Sequence, residues 1–212
     1  MNFDKQMALS VRPYDLEDAF LFRGNGNGYL VWQPGECQIV LGQSNTAENS
    51  LIAENVIRDN VPVTKRPSGG EAVILTPSTI AFTVSKAFSV PVQFRDFFRT
   101  VNSLVIDCLA GLGVEALGSR GISDIVIGNK KILGSSMRNT HGCLIYHAVL
   151  NVSEDPSLFE KYLRHPKREP DYRTGRSHSE FVTSLRAEGY DITPEILIPA
   201  LERKLHNYLT NS

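Results

Sequence analysis

The chain has 212 residues, 42% hydrophobic and 21% charged, which suits one globular domain with a sizeable core. Lys+Arg 22 against Asp+Glu 23 leaves a formal net charge of -1, so no bulk field draws it to nucleic acid or an acidic membrane. Met1-Asn2-Phe3-Asp4-Lys5-Gln6 lacks the apolar core of a signal peptide, and no stretch approaches the ~18 apolar residues that span a bilayer. Cys37, Cys108 and Cys143 are odd in number and widely spaced, with no CxxC. They read as reduced cysteines of a cytoplasmic protein rather than a disulfide framework or a zinc site.

In chain order, Tyr14 to Phe22 reads as a short helix. Gly24-Asn25-Gly26-Asn27-Gly28 has the wrong spacing for a dinucleotide fingerprint and no strand before it, so it reads as a hairpin turn. Tyr29 to Pro34 and Cys37 to Gly42 are strands. Gln43-Ser44-Asn45 then offers an N-cap to a helix from Asn49 to Arg58, whose apolar stripe is Leu51, Ile52, Val56 and Ile57. Ala72–Leu75 and Ile80–Ser85 read as the arms of a hairpin about Thr76-Pro77-Ser78-Thr79. Pro91 starts a helix from Val92 to Gly111 with Phe94, Phe97, Phe98, Val101, Leu104, Val105, Cys108 and Leu109 on its core face.

Strands follow at Val114–Leu117, Ile125–Ile127, Ile132–Arg138 and Leu144–Val152. A helix from Pro156 to Arg164, a basic proline-punctuated loop from His165 to Arg176 and a closing helix from Pro194 to about Tyr208 complete the chain. The pattern, without repeats or linker composition, is one α+β domain over residues 1–212, with a mixed or antiparallel sheet and flanking helices.

Two stretches carry chemistry. Lys65-Arg66-Pro67-Ser68-Gly69-Gly70-Glu71-Ala72-Val73-Ile74 sets a basic pair, a proline, a serine and two glycines between strands. Such a loop can lay backbone N–H groups against an anion, or be an ordinary hairpin turn. Ser123-Asp124-Ile125-Val126-Ile127-Gly128-Asn129-Lys130-Lys131-Ile132-Leu133-Gly134-Ser135-Ser136 reads as strand, two-residue Gly-Asn turn, strand. Strand alternation sends Lys131 and Lys130 to opposite sides, with Lys130 toward solvent.

Together these stretches resemble the lipoate–protein ligase and biotin–protein ligase superfamily. In lipoate ligases the first is typically Arg-Arg-x-Ser-Gly-Gly-Gly-Ala-Val, and the second Asn-Asp-(apolar) followed by Gly-x-Lys-(apolar)-x-Gly-Ser. The resemblance covers about residues 29–185. It implies the biotin/lipoate ligase catalytic fold and an enzyme that activates lipoate or octanoate with ATP to an acyl-AMP. The acyl group then passes to a lysine of a lipoyl carrier domain, of the 2-oxoacid dehydrogenase E2 or glycine-cleavage H-protein type.

The resemblance makes Lys131 the catalytic residue, its ammonium neutralising the α-phosphate. Arg66, Ser68, Gly69, Gly70 and Ala72 become the loop that holds the carboxylate or phosphate end of the adenylate. Asp124 would bind Mg2+ or orient Lys131, Gly134 and Ser135 would let the nucleotide lie close, and His147 is either a substrate contact or a satisfied core histidine.

Four departures stand out. Glu71 replaces a third glycine, Ser123 an asparagine, and Leu75-Thr76-Pro77 the histidine-aspartate that commonly follows. The C-terminal accessory domain of larger ligases is also missing, so a separate accessory subunit is a possible partner. Alternatives are an octanoyl transferase working through a cysteine, for which neither usual position holds one here, and a non-catalytic binder of lipoyl groups or carrier domains. Biotin ligases carry Gly-Arg-Gly-Arg-x-Gly-Arg, which is absent.

Overall fold

The computed structural model describes residues 9–89, 92–140 and 142–211. Strand alternation sorts its side chains into layers. A four-stranded sheet runs in the order β1 (Val11–Pro13), β4 (Val63–Lys65), β3 (Gln38–Leu41), β5 (Val73–Leu75). The first three strands are parallel and β5 is antiparallel to β3. A six-stranded antiparallel sheet has the order β2 (Gly28–Trp32), β6 (Thr79–Ala87), β10 (Cys143–Asn151), β9 (Lys130–Thr140), β8 (Asp124–Ile127), β7 (Leu117–Arg120). The architecture is the expected α+β, with one mixed and one antiparallel sheet.

One face of the large sheet packs on α3 (Phe94–Gly111) and α6 (Pro194–Thr210). Phe97, Val101, Val105, Cys108 and Leu109 of α3 meet Phe82, Tyr146, Ile125 and Ile132 in this main core. Phe94, expected on the same stripe, is 48% exposed in the first turn of the helix. Pro91, the expected helix start, lies outside the described residues. The other face packs on the small sheet through Val40, Leu75 and Ala81. On the small sheet's outer face, Ile39, Leu41, Val63 and Ile74 bury α1 (Ala47–Ser50), α2 (Ala53–Arg58) and α4 (Ser157–Tyr162). A one-turn helix, α5 (His178–Phe181), follows α4 and packs against it.

Several local expectations yield to long-range contacts. The strands at 72–75 and 80–85 are not hairpin partners, because β5 joins the small sheet and β6 the large one, with the turn between them as the crossover. The single helix expected at 49–58 is split at Leu51, which is extended and forms a bridge with Leu163, flanked by Ile52 N–H to Tyr162 O and Arg164 N–H to Ser50 O. Only Ala19–Phe22 of the 14–22 segment is helical, as a 3-10 turn. Tyr14 and Asp18 are drawn instead into a buried network in which Asp18 accepts from Tyr14 and from Thr83. The glycine run at 24–28 leads from this turn into β2 and so closes no hairpin. The strand expected at 114–117 begins only at Leu117, after left-handed Gly113 and Ala116.

The exposure difference within the α3 stripe gives a direct check. Phe97→Ala should cost about 3–5 kcal/mol in urea unfolding, as a buried aromatic lost from a packed core. Phe94→Ala should stay within about 0.5 kcal/mol. Equal losses would contradict the packing.

Candidate active site

Lys131 is placed by an irregularity in the β8–β9 hairpin. The two-residue turn uses Gly128 at φ 58, and the register then slips between Ile125 and Val126, so that Lys131 faces Val126 while Gly134 faces Asp124. A bulge of this kind re-aims a side chain. Here it lays the lysine over the Gly134 backbone, and Nζ reaches Asp124 Oδ1 at 2.8 Å. A Cβ at Gly134 would lie 2.8 Å from both Cε and Nζ, so the lysine as placed occupies the space a side chain there would take. The backbone of Lys131 is fixed separately, by Thr183 N–H on its carbonyl at 2.9 Å. Lys130 points the other way, toward Glu188 at 3.5 Å.

Asp124 is 4% exposed. Its Oδ1 also accepts from Ser123 Oγ at 3.2 Å, and its Oδ2 accepts from Tyr172 OH at 2.8 Å. Both oxygens are therefore engaged. Among the described residues no group of three or more His, Cys, Asp or Glu is placed to hold a metal ion. As placed, Asp124 is the partner of Lys131.

The glycine loop is a scaffold more than a row of contacts. Arg66, 3% exposed, donates Nε and Nη2 to Gly69 O (3.2 and 2.7 Å), Nη2 to Glu71 O (2.8 Å) and Nη1 to Val40 O (3.1 Å). Burial pushes its pKa down to about 10, which still leaves it a cation at neutral pH. Its fork is thus spent on loop carbonyls, not on the adenylate end it was expected to grip. Ser68 Oγ meets His147 Nε2 at 2.6 Å and Ser136 Oγ at 3.0 Å, sewing the loop to β9 and β10. Burial, and next to it the Arg66 charge, hold His147 well below the usual histidine range, so it is neutral. Gly70 sits at φ 85, and its carbonyl packs so closely on Gly42 that a Cβ there would come within 1.9 Å.

A cleft of about 410 Å³ opens between β5, β9, β10 and the α4–α5 region. Val73, Ile74, Leu133, Val149, Phe159, Leu163, Phe181 and Val182 give it apolar walls, while Lys131, Arg164, Lys167, Arg168 and Arg173 give it a basic side. Of the residues expected in the site, Lys131, Ala72 and Gly134 line this cleft and Asp124 stands behind Lys131. Arg66, Ser68, Gly69, Gly70 and His147 shape the loop beside it. Ser135 is turned away, with Oγ on Ser123 O at 2.7 Å. Glu71 lies at the cleft and accepts from Asn45 Nδ2 at 3.1 Å. Arg164 and Phe181 were missed at the level of sequence, whereas Arg173 belongs to the Tyr172-Arg173-x-x-Arg176-x-His178 segment, whose composition looks functional but whose role the sequence does not give. The basic, proline-punctuated character of residues 165–176 was a signal for Arg173 alone.

Two outcomes test this geometry. In a crystal structure of Gly134→Ala, Lys131 Nζ should lie beyond hydrogen-bond distance of Asp124; an unchanged pair would contradict the account. His178, buried beside Arg173, has its pKa lowered to about 4, first by burial and then by that guanidinium. The unfolded chain therefore binds a proton that the folded one refuses, and stability falls as pH drops from about 6.5 toward 4. The loss should be on the order of 3 kcal/mol. His178→Gln should flatten that part of a pH series of urea midpoints, and an unchanged slope would sink the assignment.

The family model of the lipoyl protein ligase A/B catalytic domain matches residues 14–206. A curated relative, lipoate-protein ligase A subunit 1 of Thermoplasma acidophilum, is 25% identical over 180 residues, covering 79% of this chain and 68% of the relative. Among solved structures, a bi-partite lipoate protein ligase studied with its E2 lipoyl domain from the same archaeon superposes with a TM-score of 0.77 at 20% identity, over 91% of this chain and 76% of that one. A lipoate-protein ligase A bound with ATP gives 0.76 at 21% identity, over 95% and 84%. Both structural likenesses show the shared fold. Glycine loop, Gly-Asn hairpin and seated lysine lie inside the span matched by the family model, and the chain belongs to the lipoyl protein ligase A/B catalytic-domain family.

Proposed function

We propose that the chain is the catalytic unit of an ATP-dependent lipoate–protein ligase. The observation that carries this reading is the position of Lys131: an ammonium fixed by Asp124 where the apolar walls of the cleft meet its basic side. An acyl chain suits the walls, and a phosphate suits the cations. In the first half-reaction the carboxylate oxygen of lipoate or octanoate attacks the α-phosphorus of ATP and pyrophosphate leaves. In the second, the amine of an acceptor lysine attacks the acyl carbonyl and AMP leaves. Negative charge gathers on the same phosphoryl group in both, and a preorganised cation at that point lowers both barriers. Magnesium would come with the polyphosphate of ATP; no step is assigned to it.

The partners follow the same reading: a lipoyl carrier domain supplies the acceptor lysine, and a separate accessory subunit works with this chain. The name of the curated relative, a subunit 1, and the bi-partite ligase with its E2 lipoyl domain support both. A cysteine relay finds no support, since no cysteine lines the cleft, and Cys143 is buried with Sγ 3.0 Å from Ser85 Oγ. Among the described residues no helix is long and apolar enough to cross a membrane. A cytoplasmic location is inferred with the free cysteines.

The test is lipoate-dependent pyrophosphate release from ATP, by the chain alone and with its second subunit. Lys131→Ala should lower it at least about 100-fold. Release that survives this substitution would remove Lys131 from the chemistry, and acyl transfer without ATP would replace the ligase reading.

A further inference from the structure

The Asp124 carboxylate is held from two directions. Lys131 Nζ and Ser123 Oγ meet Oδ1 at 2.8 and 3.2 Å, and Tyr172 OH donates to Oδ2 at 2.8 Å from the far side of the cleft wall. Tyr172 comes from the 165–176 loop and is not among the residues that line the cleft. Its ring packs on Phe181 with centroids 5.0 Å apart. Burial and the neighbouring carboxylate raise its pKa far above the ordinary tyrosine range, so the hydroxyl keeps its proton and acts as a donor.

The loop holds this tyrosine in place through its own backbone. Thr174 and Gly175 are both left-handed, at φ 53 and 75, and close a tight turn. Arg176 donates Nη2 to Tyr172 O at 2.8 Å and Nη1 to Asn129 O at 3.1 Å, tying the loop to the turn that precedes Lys131. Glu169 Oε1 accepts from Gly175 N–H at 2.9 Å. The loop and the lysine hairpin are thus fastened at the hydroxyl and again at the turn.

We propose that Tyr172 is a positioning residue for Lys131, acting through Asp124; the assignment of a catalytic consequence rests on the ligase reading above. A carboxylate bonded through one oxygen swings about its Cβ–Cγ bond, and the long lysine chain follows it. A donor on the second oxygen stops that rotation, which keeps the ammonium within the narrow tolerance that charge stabilisation needs.

Tyr172→Phe keeps the ring on Phe181 and removes only the hydroxyl. In the pyrophosphate assay kcat should fall about tenfold, with KM for ATP and lipoate each within about twofold of wild type. Adding Tyr172→Phe to Asp124→Asn should cause no further loss. A second readout needs no turnover: acetylation of the Lys131 amine by N-hydroxysuccinimidyl acetate, followed by peptide mass spectrometry. Lys131 should label several-fold faster in Tyr172→Phe than in wild type, with Lys130 unchanged as the internal reference. Equal labelling of Lys131 in the two proteins overturns the proposal. So does a raised KM with unchanged kcat, which would make Tyr172 a substrate contact. A labelling change in a protein without ATP-dependent turnover, both alone and with its second subunit, would uphold the positioning role and overturn the ligase reading alone.

Discussion

The ion pair between Lys131 and Asp124 is the constraint on which the site depends. An ammonium meant to meet a phosphate must face the cleft, yet it needs an anchor to hold a fixed place there. The structure resolves this with one buried partner and one half-open one: the side chain of Asp124 is 6% exposed and that of Lys131 27%. A carboxylate so buried is costly without partners, so it collects donors from Ser123 and Tyr172 as well. The bulge in β9, the missing side chain at Gly134 and the bond from Thr183 to the Lys131 carbonyl all serve the same placement.

The glycine loop solves a different problem. It joins β4 to β5 within the small sheet and must lie against the large one without leaving buried backbone carbonyls unpaired. Arg66 answers this by facing carbonyls of the loop and of β3 with a buried guanidinium, while Ser68, His147 and Ser136 form the seam to the large sheet. A neutral His147 suits a seam beside that cation, since a second charge there would face it across buried space. The close pairing of Gly42 with the Gly70 carbonyl then seats the loop against the end of β3. The apolar cleft is the space left beside this polar seam.

The parts legible in the sequence were those governed by local rules. The Gly-Asn turn placed Lys131, helical spacing marked Phe97, Val101 and Val105 as core, and alternation marked β10. What escaped was decided by distant partners. Nothing local tells Val73–Leu75 to join a different sheet from Ile80–Ser85, and nothing near Leu51 reveals its bridge to Leu163. Arg66 shows the same limit in the site. Its residue type suits an oxyanion, but burial among carbonyls determines what it holds. Tyr172 lies 48 positions from Asp124, so only the fold could pair them.

The position of a bound acyl-adenylate decides the role of Lys131, and a crystal structure of this protein with lipoyl-AMP measures it. The α-phosphate is expected within ~3 Å of Lys131 Nζ, as a charge-assisted hydrogen bond requires. The acyl chain is expected between Val73, Leu133 and Phe181. A phosphate seated on Arg66 beyond the reach of Lys131, or an acyl chain outside this cleft, would contradict the central claim.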